Sequence, residues 1–400
     1  MTGRESAIST ILWAEDGLFP LCIRNNGFVS CLLDPYGGSV TLVPKLLATI
    51  VAPVSISYWP LVANLLAGIL AGTVGGMIYL ILRRAEYTWP LATSLAVVPV
   101  LHHSLSQESI NAYSNSYIPI AYLFAILYLV PRVLNLFRPI TLWTFTVFGI
   151  LTLPSLIAVV PMAVLVGRAR QVGTRKYFAI GTAVLIGVAT QSVWVIRSQG
   201  NRVLGINRAT IGNWAVRIPE KMVEAIFGAG STSREILRLS TVHTWQFAGI
   251  TLFLLFAICI LGLFDREPRR TAAALVLSGL TLSAIPSVMY VPVNRYFVWF
   301  QILVVAALVF ATLASTRHPS FKLLVLVALL PSTVSGLPAK PSRVSAAYSW
   351  TSSLTAARAE CRDPGQIDAE ILFAPDWPTE AGMDFLTERT RNRVRCADLR

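Results

Sequence analysis

The sequence predicts an all-α polytopic membrane protein, and three observations carry that reading. Only 13% of the 400 residues are charged, about half the share in soluble domains. Apolar types make up 54% of the chain, with a mean hydropathy of +0.63. Apolar stretches long enough to cross ~30 Å of hydrocarbon recur along its length. A soluble chain of this size would need far more polar surface, which excludes an ordinary cytosolic enzyme, a disordered chain and a disulfide-dense secreted module. The 33 basic and 20 acidic residues leave a net charge of +13. In a membrane protein that excess reads as Lys and Arg gathered in cytoplasmic loops. No basic motif has nucleic-acid spacing, so no nucleic-acid partner is expected.

Spans are predicted near 60–82, 90–105, 117–131, 177–196, 245–264, 271–289, 297–314 and 320–335. The apolar stretch 139–167 is broken by Pro154 and Pro161 and reads as a hairpin of two short helices, giving about ten spans in all. Such breaks must sit against protein or a cavity, because lipid cannot satisfy the freed backbone. Gly68, Gly72 and Gly76, each four apart, have the spacing of tight helix–helix packing.

Alternate connections carry the positive charge: Arg83 and Arg84; Arg132 and Arg138; Arg168, Arg170, Arg175 and Lys176; Arg266, Arg269 and Arg270; Arg317 and Lys322. The positive-inside rule makes these cytoplasmic. Segments 13–58, 102–116, 197–244, 290–296 and the tail then lie outside, although the long 197–244 segment is itself basic. The organisation expected is a membrane module over 1–335, with an outer acidic loop 13–58 and an outer loop 197–244, followed by an extracytoplasmic tail over 336–400. Cys22 and Cys31 fall in the first outer segment, Cys361 and Cys396 in the tail, and Cys259 within a span. Two outer pairs and one buried single suit disulfides in an oxidising exterior. The residues before Trp13 form neither a span nor a signal peptide, so a first helix upstream of the given start is expected.

The outer segments hold the polar residues that need a reason. Trp13-Ala14-Glu15-Asp16-Gly17 sets two adjacent carboxylates before a Pro-marked apolar stretch. Pro35-Tyr36-Gly37-Gly38 is a turn signal, and 41–58 suits a helix lying in the interface. A carboxylate at such a low-dielectric boundary can act as a base, or it can be a solvated loop acid. His102 and His103 precede Glu108. They could share a metal or bind phosphate, but the spacing matches no zinc pattern, and helical neighbours point about 100° apart. Asn111 and Asn115, four apart, share a helix face that could bond sugar hydroxyls. Arg295, beside Tyr296 in a very short outer connection, either snorkels to head groups or offers its fork to phosphate oxygens.

The chain resembles the GT-C superfamily of integral membrane glycosyltransferases that use polyprenyl-phosphate sugars. The resemblance rests on W-A-E-D-G, P-Y-G-G, the Q-E-x-x-N-x-x-x-N stretch and R-Y-F, over about 13–300, together with the outer acidic loop, interfacial helix and short-helix pair. More narrowly it resembles actinobacterial-type multipass members. It implies Asp16 as catalytic base with Glu15 as its nearest substitute. Arg295 would bind the donor phosphate, with Tyr296, His102, His103, Glu108, Asn111 and Asn115 lining the site. Asp16 and Glu108 would suit Mg²⁺ or Mn²⁺. The implied partners are a polyprenyl-phosphate sugar donor, an envelope glycan or lipid acceptor, and membrane lipids. A transporter or flippase of a lipid-linked or anionic substrate, and a non-catalytic envelope-assembly protein, are the other readings. Transporters tend to carry internal repeats and mid-bilayer charges. Here no repeat is found and the ionisable residues gather at the outer boundary.

Overall fold

A computed structural model describes residues 14–34, 40–101, 113–168, 172–197, 208–227, 266–289, 297–315, 322–323, 350–363, 365–372 and 391–399. These are mostly helical. The first described segment is a helical corner. Helices α1 (Ala14–Asn26) and α2 (Phe28–Leu33) meet at Gly27, whose φ of 82° strains any residue with a Cβ. Pro20, inside α1, lacks the N–H that would close a turn onto the Asp16 carbonyl. Helix α3 (Leu42–Val51) follows, then a 3₁₀ turn Ile56–Tyr58 and the long helix α4 (Trp59–Arg84). The 26 residues of α4 span about 39 Å. It stops where Glu86 takes a φ of 66°. The N–H groups of Glu86 and Tyr87 there bond back to the carbonyls of Arg83 and Leu82, and the two arginines complement the helix dipole.

The chain continues through α5 (Trp89–Leu101), a 3₁₀ turn Tyr113–Ser116 and α6 (Tyr117–Leu129). Helix α7 (Pro139–Thr152) ends at an extended Leu153, the conformation that the following Pro154 imposes. A 3₁₀ segment Pro154–Ala158 leads into α8 (Val159–Arg168), so the expected pair of short helices is present. Then come α9 (Thr174–Arg197), α10 (Arg208–Phe227), α11 (Arg266–Met289) and α12 (Val298–Ala314). The tail forms α13 (Trp350–Glu360) and strands β1 (Asp368–Leu372) and β2 (Arg391–Arg395), paired antiparallel with Asp368 opposite Arg395.

Helices α6 and α12 are buried on nearly every face and form the centre of the larger core. Helices α4 and α9 lie at the periphery. They turn large apolar side chains outward, among them Leu65, Ile69 and Leu80 on α4 and Phe178, Leu185 and Ile196 on α9. Contiguous exposed apolar faces of this kind suit a lipid or protein contact. A second core joins the two ends of the chain: Phe19, Val51, Trp59 and Ala63 pack with Trp350, Leu354, Ile371 and Val394.

The two ends of α4 mark two ends of the bundle. At its C-terminal end, the Tyr87 hydroxyl donates to the Pro131 carbonyl at 2.9 Å, and Arg132 lies over the Tyr87 ring. Nearby in sequence, Lys176 donates to the carbonyls of Leu134 and Asn135 at 3.1 and 3.0 Å. Three of the basic connections thus lie together. At the N-terminal end, the acidic helix, α3 and the tail lie together.

Several expectations change. Two described segments, Ile56–Arg84 and Thr174–Val193, are long and apolar enough to cross a bilayer, and six more apolar helices are shorter. The ten expected spans are therefore not reached among the described residues. Helices such as α6 are cut to 13 residues, about 20 Å. Of the expected spans, 245–264 lies outside the described residues, and so does 320–335 apart from residues 322–323. The segment 13–58 is mostly helix rather than loop, because its apolar residues find partners in α4 and the tail. The segment 197–244 contains the 20-residue α10, docked on α11 and α12. The tail adds a two-stranded sheet to the all-α expectation. The Gly68, Gly72 and Gly76 stripe meets no neighbour among the described residues: a Cβ on any of the three would have none of them within 4 Å. The buried stripe is Ala63, Ala67, Ala71, Val74 and Ile78, one residue and so about 100° away, and Gly75 is the glycine pressed against α5, 3.0 Å from the Ala96 carbonyl.

Candidate functional site

Asp16 lies in the first turn of α1 and is 0% exposed. Carboxylates are rarely buried this fully unless the surroundings compensate them. The α1 helix packs on α2, α3 and the Tyr113–Ser116 turn. The structure describes the backbone of Glu15 within α1 but not its side chain.

Arg24, in the last turn of α1, fixes that helix in place. Its Nε donates to the Ala52 carbonyl and its Nη2 to the Val54 carbonyl, both at 2.8 Å. Its guanidinium also lies 5.4 Å from the Trp59 ring centroid. Such a planar fork engages several acceptors at once, which a lysine cannot do. Cys22 and Cys31 are joined by a disulfide, with Cα atoms 5.8 Å apart across the Gly27 corner. Cys361 and Cys396 are joined likewise, tying α13 to the end of β2.

Lys45 on α3 is 3% exposed. Its Nζ donates to the main-chain carbonyls of Asp34 and Leu32, capping the carbonyl end of α2. Burial pushes the Lys45 ammonium down from 10.5 to about 8, and the charge of Asp34 pulls it part of the way back.

Asn115 sits in the 3₁₀ turn rather than on an α-helical face, and its Oδ1 accepts from the Tyr117 hydroxyl at 2.7 Å. The Tyr117 ring rests 5.7 Å from that of Trp299, in the first turn of α12. The acidic helix, the Asn115 turn and the start of α12 are thereby linked in space. Arg295 and Tyr296, which precede α12 in sequence, lie outside the described residues, as do His102, His103, Glu108 and Asn111. Among the described residues no three His, Cys, Asp or Glu side chains converge to hold a metal ion. Of the carboxylates that the resemblance implies for Mg²⁺ or Mn²⁺, Asp16 is described and Glu108 lies outside the described residues.

Two polar arrangements escaped the sequence reading. The first joins α10 to α12. Lys221 Nζ lies 2.7 Å from Glu224 Oε2, and Gln301 Nε2 donates to the same oxygen at 3.1 Å, with all three residues buried. The second is Gln191 on α9. Pro154 cannot supply the N–H that would reach the Ile150 carbonyl, and Gln191 Nε2 supplies it at 3.0 Å. Gln191 Oε1 in turn accepts from the Val40 N–H at 3.2 Å. The available signal was the one amide side chain of a mostly apolar helix, a residue type that needs a partner when buried.

Comparison with protein families, with curated proteins and with solved structures finds no match for this chain.

Proposed function

We propose that the chain is a multi-pass membrane glycosyltransferase with a GT-C-like bundle of about ten spans. It moves a sugar from a polyprenyl-phosphate donor to an extracytoplasmic envelope acceptor with inversion. The observation that carries this reading is the buried carboxylate of Asp16, on a helix held at the end of the bundle opposite the basic connections. Three further features support it. Apolar faces on α4 and α9 look outward. Two disulfides belong to the Asp16 end, and an oxidising exterior is where such bonds persist. The Asn115 turn and the start of α12, the helix that follows Arg295, adjoin each other there.

In this mechanism Asp16 accepts the proton of an acceptor hydroxyl. The oxygen attacks the anomeric carbon from the face opposite the phosphate. The carbon–oxygen bond to the phosphate breaks, and the phosphate leaves with the electron pair. Arg295 stabilises that charge by hydrogen bonding, an electrostatic role without proton transfer.

The test is transfer from a panel of polyprenyl-phosphate sugars by the purified full chain in lipid. Asp16→Asn should abolish transfer while the protein still accumulates in membranes with an unchanged melting temperature. Arg295→Ala should weaken donor binding more than Arg295→Lys. An active Asp16→Asn enzyme removes the base assignment, and equal effects at Arg295 remove the bidentate phosphate contact.

A further inference from the structure

The Pro154 break does more than bend α7. It opens a cavity of about 510 Å³ between the 3₁₀ segment, α9 and α11, walled by Ile150, Pro154, Ile157, Val188 and Ile285. Two lining residues, Val188 and Ile196, are exposed. These two lie on the same outward apolar face of α9 as Leu185. One lining residue is a polar anomaly. Ser155 is 6% exposed, lines the cavity, and its Oγ is buried with no hydrogen-bond partner among the described residues. A buried hydroxyl without a partner is disfavoured, and an acceptor brought by a ligand removes that penalty. The other polar lining residues are Gln191, whose amide bonds the Val40 N–H and the Ile150 and Leu151 carbonyls, and the exposed Ser192.

We infer that this cavity binds one acyl chain of an ester-linked glycerolipid, whose ester carbonyl accepts the Ser155 hydroxyl. The chain is apolar to match the walls and enters sideways from the outward face of α9. The carbonyl is what selects it over an isoprenoid chain, which carries no acceptor along its hydrocarbon length. The depth also agrees. Gln191 lies less than two turns from the C-terminal end of α9, and it bonds Val40 at the start of the α3 region, so the cavity belongs to the same end of the bundle as the acidic helix. The site is separate from Asp16 and asks nothing of the sugar chemistry. It rests only on the membrane part of the reading above.

The test is native mass spectrometry of the full chain released from nanodiscs. The nanodiscs hold equal amounts of a diester phosphatidylglycerol, its dialkyl ether analogue and a polyprenyl phosphate. Wild type should retain the diester over the diether by roughly fivefold, the worth of one hydrogen bond. Ser155→Ala, which deletes only an unpartnered hydroxyl, should fold normally and retain both equally. Val188→Trp, at the exposed mouth, should lose both. Equal retention of diester and diether by wild type, unchanged retention by Val188→Trp, or preferential retention of the polyprenyl phosphate that Ser155→Ala leaves intact would each overturn the assignment. Failure of the enzymatic reading shows separately, as absent sugar transfer with lipid retention intact. Failure of the membrane reading shows as protein recovered in the soluble fraction.

Discussion

Arg24 and Asp398 meet from opposite ends of the chain, Nη1 of the first 3.6 Å from Oδ1 of the second. The contact is one strand of a larger tie. Arg395 Nη2 donates to the Arg24 carbonyl at 3.0 Å, and Arg358 reaches both the Ser57 hydroxyl and the Leu399 carbonyl. The tail is therefore not an appendage. It closes over the segment that carries Asp16 and fixes the angle at which α1 enters the bundle.

Arg24→Ala should loosen this closure. The substitution removes two charge-assisted hydrogen bonds to carbonyls and the contact over Trp59, while the ion pair to Asp398 adds little because it is partly exposed. A loss of about 1–3 kcal/mol is expected. It should be visible as a lower melting temperature and as faster protease cleavage within 336–400. Arg24→Lys should recover only part of it, since an ammonium cannot reproduce the fork. Identical behaviour of Arg24→Ala and wild type in both assays would show that the Arg24 side chain contributes nothing to this closure.

The five cysteines make a counting experiment possible. With Cys22–Cys31 and Cys361–Cys396 formed, a denatured but unreduced sample should expose a single maleimide-reactive thiol, that of Cys259. Reduction should raise the count to five. The Cys361–Cys396 bond closes 35 residues of separation, and a loop of that size is worth about 3–4 kcal/mol. Its reduction should therefore free the tail for proteolysis before the bundle unfolds. Three or more reactive thiols without reductant would count against these pairings.

How much of this was legible in the sequence differs from element to element. The Pro154 break was readable because proline's missing N–H acts locally, and the two short helices it predicts are there. The disulfide partners were readable because four of the cysteines fall two in the first segment and two in the tail. Asp16 was singled out by its place beside an apolar stretch, but its complete burial was not, since α1 packs on α3 and on the Tyr113–Ser116 turn about a hundred residues later. The glycine stripe misled because spacing alone gives a face without saying which neighbour it meets. The Lys221–Glu224–Gln301 network was invisible because Gln301 stands far from its partners in sequence. Only packing of α10 against α12 brings them together.

Lys45 gives stability a pH dependence of known sign. Its folded value, about 8, lies below the ordinary 10.5, so between these values the unfolded chain holds more protons than the folded one. Stability then rises with pH through that window, by at most roughly 3 kcal/mol. Below the folded value the cost of burying the ammonium is fully present. The melting temperature of wild type should rise from pH 7.5 to 9.5 relative to Lys45→Met, which has no such group. Parallel curves for the two proteins would mean that Lys45 keeps its ordinary affinity for protons.

The network between α10 and α12 should behave as a unit. Glu224→Gln leaves the Lys221 ammonium buried at 2.7 Å from a neutral amide instead of a carboxylate. Breaking a buried pair from one side costs about 3–5 kcal/mol, while replacing both members by apolar groups of similar volume is often close to neutral. Glu224→Gln should therefore lower the melting temperature sharply. The paired change Lys221→Met with Glu224→Leu should recover most of the loss, and Gln301→Leu should matter less once Glu224 is gone. The coupling energy from the Lys221 and Glu224 cycle, measured by thermal unfolding in one detergent, is the deciding quantity. Additive effects at the two positions would mean that α10 is held to α12 by its apolar side chains, with the ion pair contributing nothing to the docking.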